Sequence, residues 1–197
     1  MEATYRPATL ADALAYSASR WRDAILVGGA VLLTAAAAQI SFTLPWTPVP
    51  VTGQTFAVLL TGTALGFRRG IASQFLYVAL GAIGLPFYAD GAGGWHTATG
   101  ANAGYLVGFV VAAAVVGLLA ERHQDRAVLT SIPAMLMGTA VIYVCGATWL
   151  AHNLGVSAAK AVELGVAPFL IGDTFKLIAA GLLVPAAWRL TKPRDER

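Results

Sequence analysis

The sequence predicts an all-α integral membrane protein, built as a bundle of six transmembrane helices with both termini in the cytoplasm. Three observations carry this prediction: the scarcity of charge, the length of the apolar runs and the one-sided distribution of basic residues. Of the 197 residues, 57% are hydrophobic and only 12% are charged, whereas a soluble domain carries about 25% charged residues. This length fits a single membrane domain spanning residues 1–197.

Six apolar runs approach the length that a membrane-crossing helix needs, which is about 20 residues. The second and the fourth are the shortest. The predicted spans are 24–44, 53–67, 70–89, 104–120, 127–150 and 167–190. Ahead of the first span, "TLADALAY" at 9–16 predicts a short interfacial helix that Thr9 caps together with Asp12.

The basic residues indicate how such a bundle is oriented. Eleven of the 13 Lys and Arg residues fall on one side, Lys160 falls on the other, and Lys176 lies within the last span. Because Lys and Arg accumulate in cytoplasmic loops, this bias places both termini in the cytoplasm. Since orientation in the membrane accounts for the basic residues, their number indicates no nucleic-acid partner. The eleven are Arg6, Arg20, Arg22, Arg68, Arg69, Arg122, Arg126, Arg189, Lys192, Arg194 and Arg197.

Small residues recur at four-residue spacing in several predicted spans. In the first span they are Ala30, Thr34 and Ala38; Gly62 and Gly66 form a second pair, and "GYLVG" at 104–108 carries a third. Such faces let two helices approach closely. Two interpretations stay open: packing within the bundle, or docking of a second membrane protein on the first span.

Two connectors on the predicted outer side have unusual compositions. The apolar segment "LPWTPVPVTGQT" at 44–55 contains three prolines, which predicts a stiff, non-helical loop that folds over another part of the chain. The segment 88–105 is rich in glycine, which lets a backbone approach a ligand closely. His96 lies there without a second His, Cys or carboxylate at ligand spacing, so no metal site is predicted.

Two ionisable residues interrupt the last apolar run, in "FLIGDTFKLI" at 169–178. Asp173 and Lys176 stand three residues apart and therefore share a helical face. The two charges either neutralise each other as a structural pair or contact a polar substrate, because ionisable groups inside membranes usually mark substrate or ion paths. Pro168 marks the outer end of this span, so Asp173 lies about 8 Å below it.

The chain contains no G-x-x-x-x-G-K-[ST] sequence, so any ATP hydrolysis must take place on other chains. No motif indicates an enzyme. Two other functional classes remain to be tested: an intramembrane transferase or hydrolase with Asp173 as the base, and a solitary proton-coupled vitamin carrier in which Asp173 titrates.

Four stretches together resemble one known family, the biotin-specific S components of energy-coupling-factor (ECF) transporters, called BioY. They occur in the family's order and cover most of residues 30–180. The stretches are "AAAAQISFTLPWTPVPVTGQT", "GFRRGIASQFLYVALGAIGLPFYADGAGG", "TGANAGYLVGF" and "PFLIGDTFK".

The resemblance implies six transmembrane helices, a location in the bacterial cytoplasmic membrane and a pocket on the outer side that captures biotin. It implies that Asp173 and Lys176 contact biotin. The further binding candidates that it gives are Asn102, Tyr105, Trp95 and Gln54. It also implies that the face formed by Ala30, Thr34 and Ala38 contacts a coupling membrane protein.

The partners that the resemblance implies are that coupling protein and two ATPase subunits. The substrate is biotin, and no cofactor is implied. Another vitamin as the ligand, transport by this chain alone and assembly into a homo-oligomer are left open.

Overall fold

Most of the chain is α-helical in the computed structural model, which describes residues 7–14 and 19–191. The α-helices are α1 (Leu10–Leu14), α2 (Arg20–Ala38), α3 (Gln54–Leu65), α4 (Phe67–Ala82), α5 (Trp95–Thr99), α6 (Ala103–Glu121), α7 (Val128–Leu154), α8 (Ala158–Gly165) and α9 (Leu170–Thr191). Strands β1 (Ser41–Phe42) and β2 (Val51–Thr52) pair antiparallel, with Ser41 opposite Thr52.

Helix α6 lies at the centre of the bundle. It packs along α7 on one side and against α3 and α4 on the other, while α9 packs on α7 and α3. Its sequence is apolar all round, as expected of a helix that is surrounded by other helices. The core it organises includes Val58, Tyr77, Ala112 and Ile142, which have no exposed surface.

Glycines let the central helices approach closely. A methyl group added at Gly62 would come within 2.8 Å of the Cα of Ala113 on α6, so α3 and α6 touch through backbone. At Gly104 a methyl group would overlap Trp149 and the carbonyl oxygen of Cys145 on α7. These small residues, predicted from their spacing, therefore serve packing within the bundle.

The stripe on α2 is also internal. Ala30 is 5% exposed, and Thr34 and Ala38 have no exposed surface. The Thr34 hydroxyl donates to the carbonyl oxygen of Ala30 at 3.0 Å and accepts a hydrogen bond from Gln74 of α4 at 3.1 Å. These residues are covered by the chain's own helices, and contact of this stripe with a coupling protein stays a prediction.

Six helices overlap the six predicted spans, but their limits differ. Helix α2 runs over 20–38 rather than 24–44: Ser19 accepts a hydrogen bond from the Trp21 N–H at its start, and the hairpin begins soon after its end. Among the described residues, four helical stretches are long and apolar enough to cross a membrane: Arg20–Ala38, Ala103–Glu121, Val128–Leu154 and Ala158–Thr191.

Helix α3 has only 12 residues, which rise about 18 Å along the helix axis and are fewer than the number that a membrane crossing needs. Helix α4 carries the basic residues Arg68 and Arg69 in its first turn, which shortens its apolar part. The six-span count and the cytoplasmic placement of both termini therefore stay predictions. Four of the eleven basic residues behind that placement lie outside the described part of the chain: Arg6, Lys192, Arg194 and Arg197.

The predicted short helix before the first span is present as α1, and residues 15 and 16 of the predicted segment lie outside the described ranges. The Thr9 hydroxyl donates to Asp12 Oδ2 at 2.7 Å and accepts from the Asp12 N–H at 3.2 Å. Arg22 and Arg69 donate to Asp12 Oδ1 at 2.7 and 2.9 Å, which ties α1 to α2 and α4. Burial opposes ionisation of Asp12, but these hydrogen bonds outweigh it and lower the pKa.

Candidate ligand-binding site

Asp173 lies in the first turn of α9, and only 5% of the residue is exposed. Its carboxylate accepts three hydrogen bonds from three different parts of the chain. The Thr55 hydroxyl of α3 donates to Oδ1 at 3.0 Å, the Tyr143 hydroxyl of α7 donates to Oδ2 at 2.8 Å, and Lys176 Nζ donates to Oδ1 at 2.7 Å. Charge-assisted bonds of this kind compensate the cost of burying the carboxylate.

Lys176 lies one turn further along α9, and its side chain is 22% exposed. Its ammonium group donates to Asp173 and also to the carbonyl oxygen of Thr52 at 2.6 Å. Thr52 is the last residue of β2. The lysine thus neutralises the buried carboxylate and ties α9 to the hairpin.

A cavity of about 620 Å³, counting the part that is open to solvent, lies beside Asp173. Its apolar walls come from α6, α7, the hairpin segment and the residue before α9: Val49, Leu106, Phe109, Ile142 and Phe169. The polar side chains that line it are Thr52, Gln54, Thr55, Thr97, Asn102, Tyr143 and Asp173.

The proline-rich segment before α3 forms one wall of the cavity, through Val49 and Pro50. Residues 43–50 between the two strands are non-helical, as the prolines predict. The expectation that this loop folds over another part of the chain is confirmed, because Val49 is buried, with 6% exposure.

Of the side chains predicted to contact substrate, Asp173, Asn102, Tyr105 and Gln54 line the cavity. Lys176 lies behind Asp173 and is not part of the lining.

Two of the lining side chains already have partners within the protein. Gln54 accepts from the Thr52 hydroxyl at 2.8 Å and donates to the Tyr77 hydroxyl. The Tyr105 hydroxyl donates to the carbonyl oxygen of Gly165 at 2.6 Å, so this side chain offers its ring to the cavity.

Asn102 and Trp95 differ sharply in their surroundings. The Oδ1 atom of Asn102 is buried and accepts no hydrogen bond from any described residue, and Asn102 lies in the cavity wall. Trp95 lies on the short helix α5, is 73% exposed and does not contribute to the lining. The geometry gives no support to Trp95 as a binding candidate.

Sequence reasoning missed Thr55 and Tyr143, the two hydroxyl donors to Asp173. Both lie in apolar segments, where single hydroxyls are common in helices that cross membranes, and neither spacing nor charge distinguishes them. Only the packing of α3 and α7 against α9 brings them to the carboxylate.

No group of three or more His, Cys, Asp or Glu side chains within residues 7–14 and 19–191 could hold a metal ion. The site contains a buried carboxylate, a buried amide oxygen to which no described residue donates, and apolar walls. Such a site suits a small, mostly apolar molecule with hydrogen-bond donors at one end. Fold and site together define a helical protein with several helices long and apolar enough to cross a membrane and with an internal cavity beside a buried carboxylate.

Comparison with known proteins identifies the family. The model of the BioY family matches residues 9–193, so this chain belongs to the BioY family. The "Probable biotin transporter BioY" of Pyrococcus horikoshii is 40% identical, over 82% of this chain and 93% of its own length. The biotin transporter BioY of Thermotoga maritima is 36% identical, over 89% of this chain and 99% of its own length.

One solved structure has the same fold. It is the S-component for biotin from an ECF-type ABC transporter, and it matches with a TM-score of 0.75 over 88% of this chain and 95% of that chain. At 21% sequence identity this likeness concerns the fold, which is that of an S component.

Proposed function

We propose that this chain is a high-affinity biotin-binding membrane subunit that mediates biotin uptake, energised by ATPase and coupling subunits on separate chains. The observation that carries the proposal is the buried Asp173 carboxylate at the wall of a mostly apolar cavity, in a chain whose relatives are named biotin transporters. The chain acts by binding and release, as a transporter subunit rather than an enzyme.

The chemistry of biotin fits this cavity. Its ureido ring carries two N–H donors and one carbonyl acceptor, and an ionised carboxylate offers about four lone-pair positions. Three of those positions on Asp173 accept from Thr55, Tyr143 and Lys176. About one position therefore remains for a ligand N–H, on Oδ2.

The second ureido N–H needs another acceptor, and the buried Oδ1 of Asn102 is a candidate. The thioether ring and the aliphatic chain of biotin would contact the apolar walls, including Phe109 and the ring of Tyr105. Burial of this apolar surface supplies most of the binding free energy, at about 25 cal/mol per Å², while the two acceptors fix the orientation.

The proposed topology has six membrane crossings, with both termini in the cytoplasm and the cavity open to the outer side. Asp173 and Arg189 lie in the first and last turns of α9, about 24 Å apart along the helix axis. If Arg189 lies at the cytoplasmic surface, as the positive-inside rule predicts, Asp173 lies near the outer surface, where a ligand can reach it.

The proposed partners are a coupling membrane protein and two ATPase subunits. Their support is the family membership, the S-component fold and the absence of a phosphate-binding loop motif from this sequence. The location that follows is the bacterial cytoplasmic membrane. Assembly into a homo-oligomer and transport by this chain alone remain questions for experiment.

Uptake of radiolabelled biotin by cells that express this chain, with and without the coupling and ATPase subunits, tests the proposal. We expect uptake to require those subunits, to stop on ATP depletion and to be inhibited by unlabelled biotin but not by thiamine or riboflavin. Uptake that survives ATP depletion and stops when the proton gradient is dissipated would indicate a proton-coupled carrier instead. Inhibition by another vitamin alone would reassign the substrate.

A further inference from the structure

We propose that Tyr77 is a positioning residue: its hydroxyl group links two walls of the cavity, the β1–β2 hairpin and the connector between α4 and α5 (residues 83–94), so that they open together. The proposal deepens the proposed function, on which its significance for biotin rests. Its geometric basis is a chain of hydrogen bonds that begins at Thr52 in the hairpin, passes through the Tyr77 hydroxyl and ends at Phe87 in the connector.

The hairpin and the connector face the same cavity. The hairpin contributes Val49, Pro50 and Thr52 to its lining. The connector contributes Tyr88 and Ala89. Each strand of the hairpin has only two residues, the connector has one 3₁₀ turn, and an isolated two-stranded hairpin is marginally stable at best. Hydrogen bonds from the helices behind these segments are therefore needed to hold them in place.

Tyr77 lies on α4, behind both segments. It has no exposed surface and is not among the residues that line the cavity. Its ring packs edge-on against the ring of Tyr88, with the ring centroids 5.8 Å apart. Its hydroxyl group accepts a hydrogen bond from the side-chain amide of Gln54 and donates one to the carbonyl oxygen of Phe87 at 3.1 Å. One buried hydroxyl thus bonds to the residue that follows the hairpin and to the connector.

The two ends of this chain fix the direction of its hydrogen bonds. The carbonyl oxygen of Phe87 can only accept, so the Tyr77 hydroxyl directs its one proton there and accepts from Gln54. The amide nitrogen of Gln54 is therefore the donor, and its Oε1 atom accepts from the Thr52 hydroxyl at 2.8 Å. A buried group left unpaired costs more than one hydrogen bond contributes. Displacement of either segment therefore strains its link to the other.

The end of α2 supplies a second link between the same two segments. The N–H of Gly53, directly after β2, donates to the carbonyl oxygen of Ala37 at 3.1 Å. The side-chain amide of Gln39 donates to the carbonyl oxygen of Tyr88 at 3.2 Å. Because this link does not involve Tyr77, we expect a variant at Tyr77 to stay folded while the two segments loosen.

The test measures how readily each segment opens when no biotin is present. A single cysteine is introduced either on the hairpin, as Val49→Cys, or on the connector, as Ala89→Cys, in a Cys145→Ala background. The rate of its modification by N-ethylmaleimide is measured on the purified protein in detergent. Val49 is buried, with 6% exposure, and Ala89 is half-buried, so a faster reaction reports opening of the segment that carries the cysteine.

Two tyrosine variants remove one buried hydroxyl each. Tyr77→Phe removes the hydroxyl that links the two segments. Tyr88→Phe is the matched control, because the Tyr88 hydroxyl donates to the carbonyl oxygen of Val78 at 2.7 Å, a bond between the connector and α4. We expect Tyr77→Phe to accelerate modification at both positions by about fivefold, the effect of one neutral hydrogen bond. Tyr88→Phe should accelerate modification at position 89 alone.

Two results at position 49 would overturn the proposal. One is an unchanged rate in Tyr77→Phe. The other is an equal acceleration by Tyr77→Phe and Tyr88→Phe, which would indicate general loosening of the bundle.

A second variant tests the link from its other end. Thr52→Val removes the hydroxyl that donates to Gln54 and keeps the backbone of β2. If the two segments are linked, Thr52→Val accelerates modification at position 89 on the connector, and it adds nothing further in the Tyr77→Phe background. Additive effects at position 89 would show independent roles and overturn the proposal. Thr52→Val alone serves if Tyr77→Phe does not fold, and an unchanged rate at position 89 would then overturn it.

The kinetics of biotin exchange distinguish a positioning role from a direct ligand contact. If the two segments open together to admit the ligand, Tyr77→Phe should raise both the association and the dissociation rate of biotin, and change the Kd by less than either rate. A rise in the dissociation rate alone would indicate a lost ligand contact and overturn the positioning role. The expected thiol reactivities in a native chain that does not bind biotin would leave the role of Tyr77 standing and refute only the proposed function.

Discussion

Replacement of Asp173 by asparagine tests whether the Asp173 carboxylate binds the ligand or serves only a structural role. The substitution keeps the shape of the side chain, removes its charge and converts one acceptor oxygen into a donor. In the native chain that group accepts from Thr55, Tyr143 and Lys176. A hydrogen bond to a charged group is worth about 1.5–3 kcal/mol, so we expect the Kd for biotin to rise by about 10- to 150-fold.

The assay is equilibrium binding of radiolabelled biotin to the purified protein in detergent at neutral pH, with the Tm recorded in parallel. Asp90→Asn is the matched control, because Asp90 is exposed in the connector between α4 and α5 and has a positive φ of 58° that asparagine tolerates. We expect the control to bind biotin as the native chain does. If Asp173→Asn kept native affinity while its Tm fell, the carboxylate would be a structural partner of Lys176, and the binding argument would be refuted.

Three further predictions concern the residues around this site and the packing that supports it. Tyr143→Phe removes the donor that positions Oδ2 of the buried carboxylate, so that oxygen is held less firmly for a ligand N–H and the Kd for biotin should rise several-fold. An unchanged Kd in the same binding assay would contradict this. Gly104→Ala should lower the Tm because its methyl group would overlap α7. Gly172→Ala should keep or raise the Tm, because its methyl group would meet no atom within 4 Å. Equal effects of the two substitutions on the Tm would contradict the packing argument. Because the pKa of Asp12 is lowered in the folded state, its contribution to stability is fully present above its ordinary pKa of 3.8 and is lost progressively as the pH falls through the lowered folded-state pKa. Asp12→Asn should therefore lower the Tm most at neutral pH, and the Tm difference should shrink as the pH is taken below 3.8. A Tm difference that stays constant with pH would contradict this assignment.

The strongest sequence signals were those that an apolar background makes conspicuous. Asp173 and Lys176 are the ionised residues of an otherwise apolar run, and the structure brings the first to the cavity wall and the second directly behind it. The prolines between the two strands predicted a non-helical segment, and that segment forms one wall of the cavity. Charged residues in an apolar helix and several prolines in a short segment are each compatible with few structures, so these two features could be predicted from the sequence alone.

Other features depend on tertiary packing and could not be predicted in this way. Spacing showed that Ala30, Thr34 and Ala38 share a face, but not that α3 and α4 would cover that face. Tyr143 is one aromatic residue among many in apolar helices until the packing of α7 on α9 brings its hydroxyl to the carboxylate. Trp95 was a binding candidate in the glycine-rich connector, but the short helix α5 leaves its side chain 73% exposed.

The most direct test of the account is a calorimetric titration of the purified native chain with biotin in detergent at neutral pH, with thiamine and riboflavin titrated in parallel. The account predicts saturable binding of one biotin per chain and no binding of the other two vitamins. Absence of saturable biotin binding in a protein with a cooperative thermal transition would contradict it, and would leave Asp173 and Lys176 as a buried structural pair within an S-component fold.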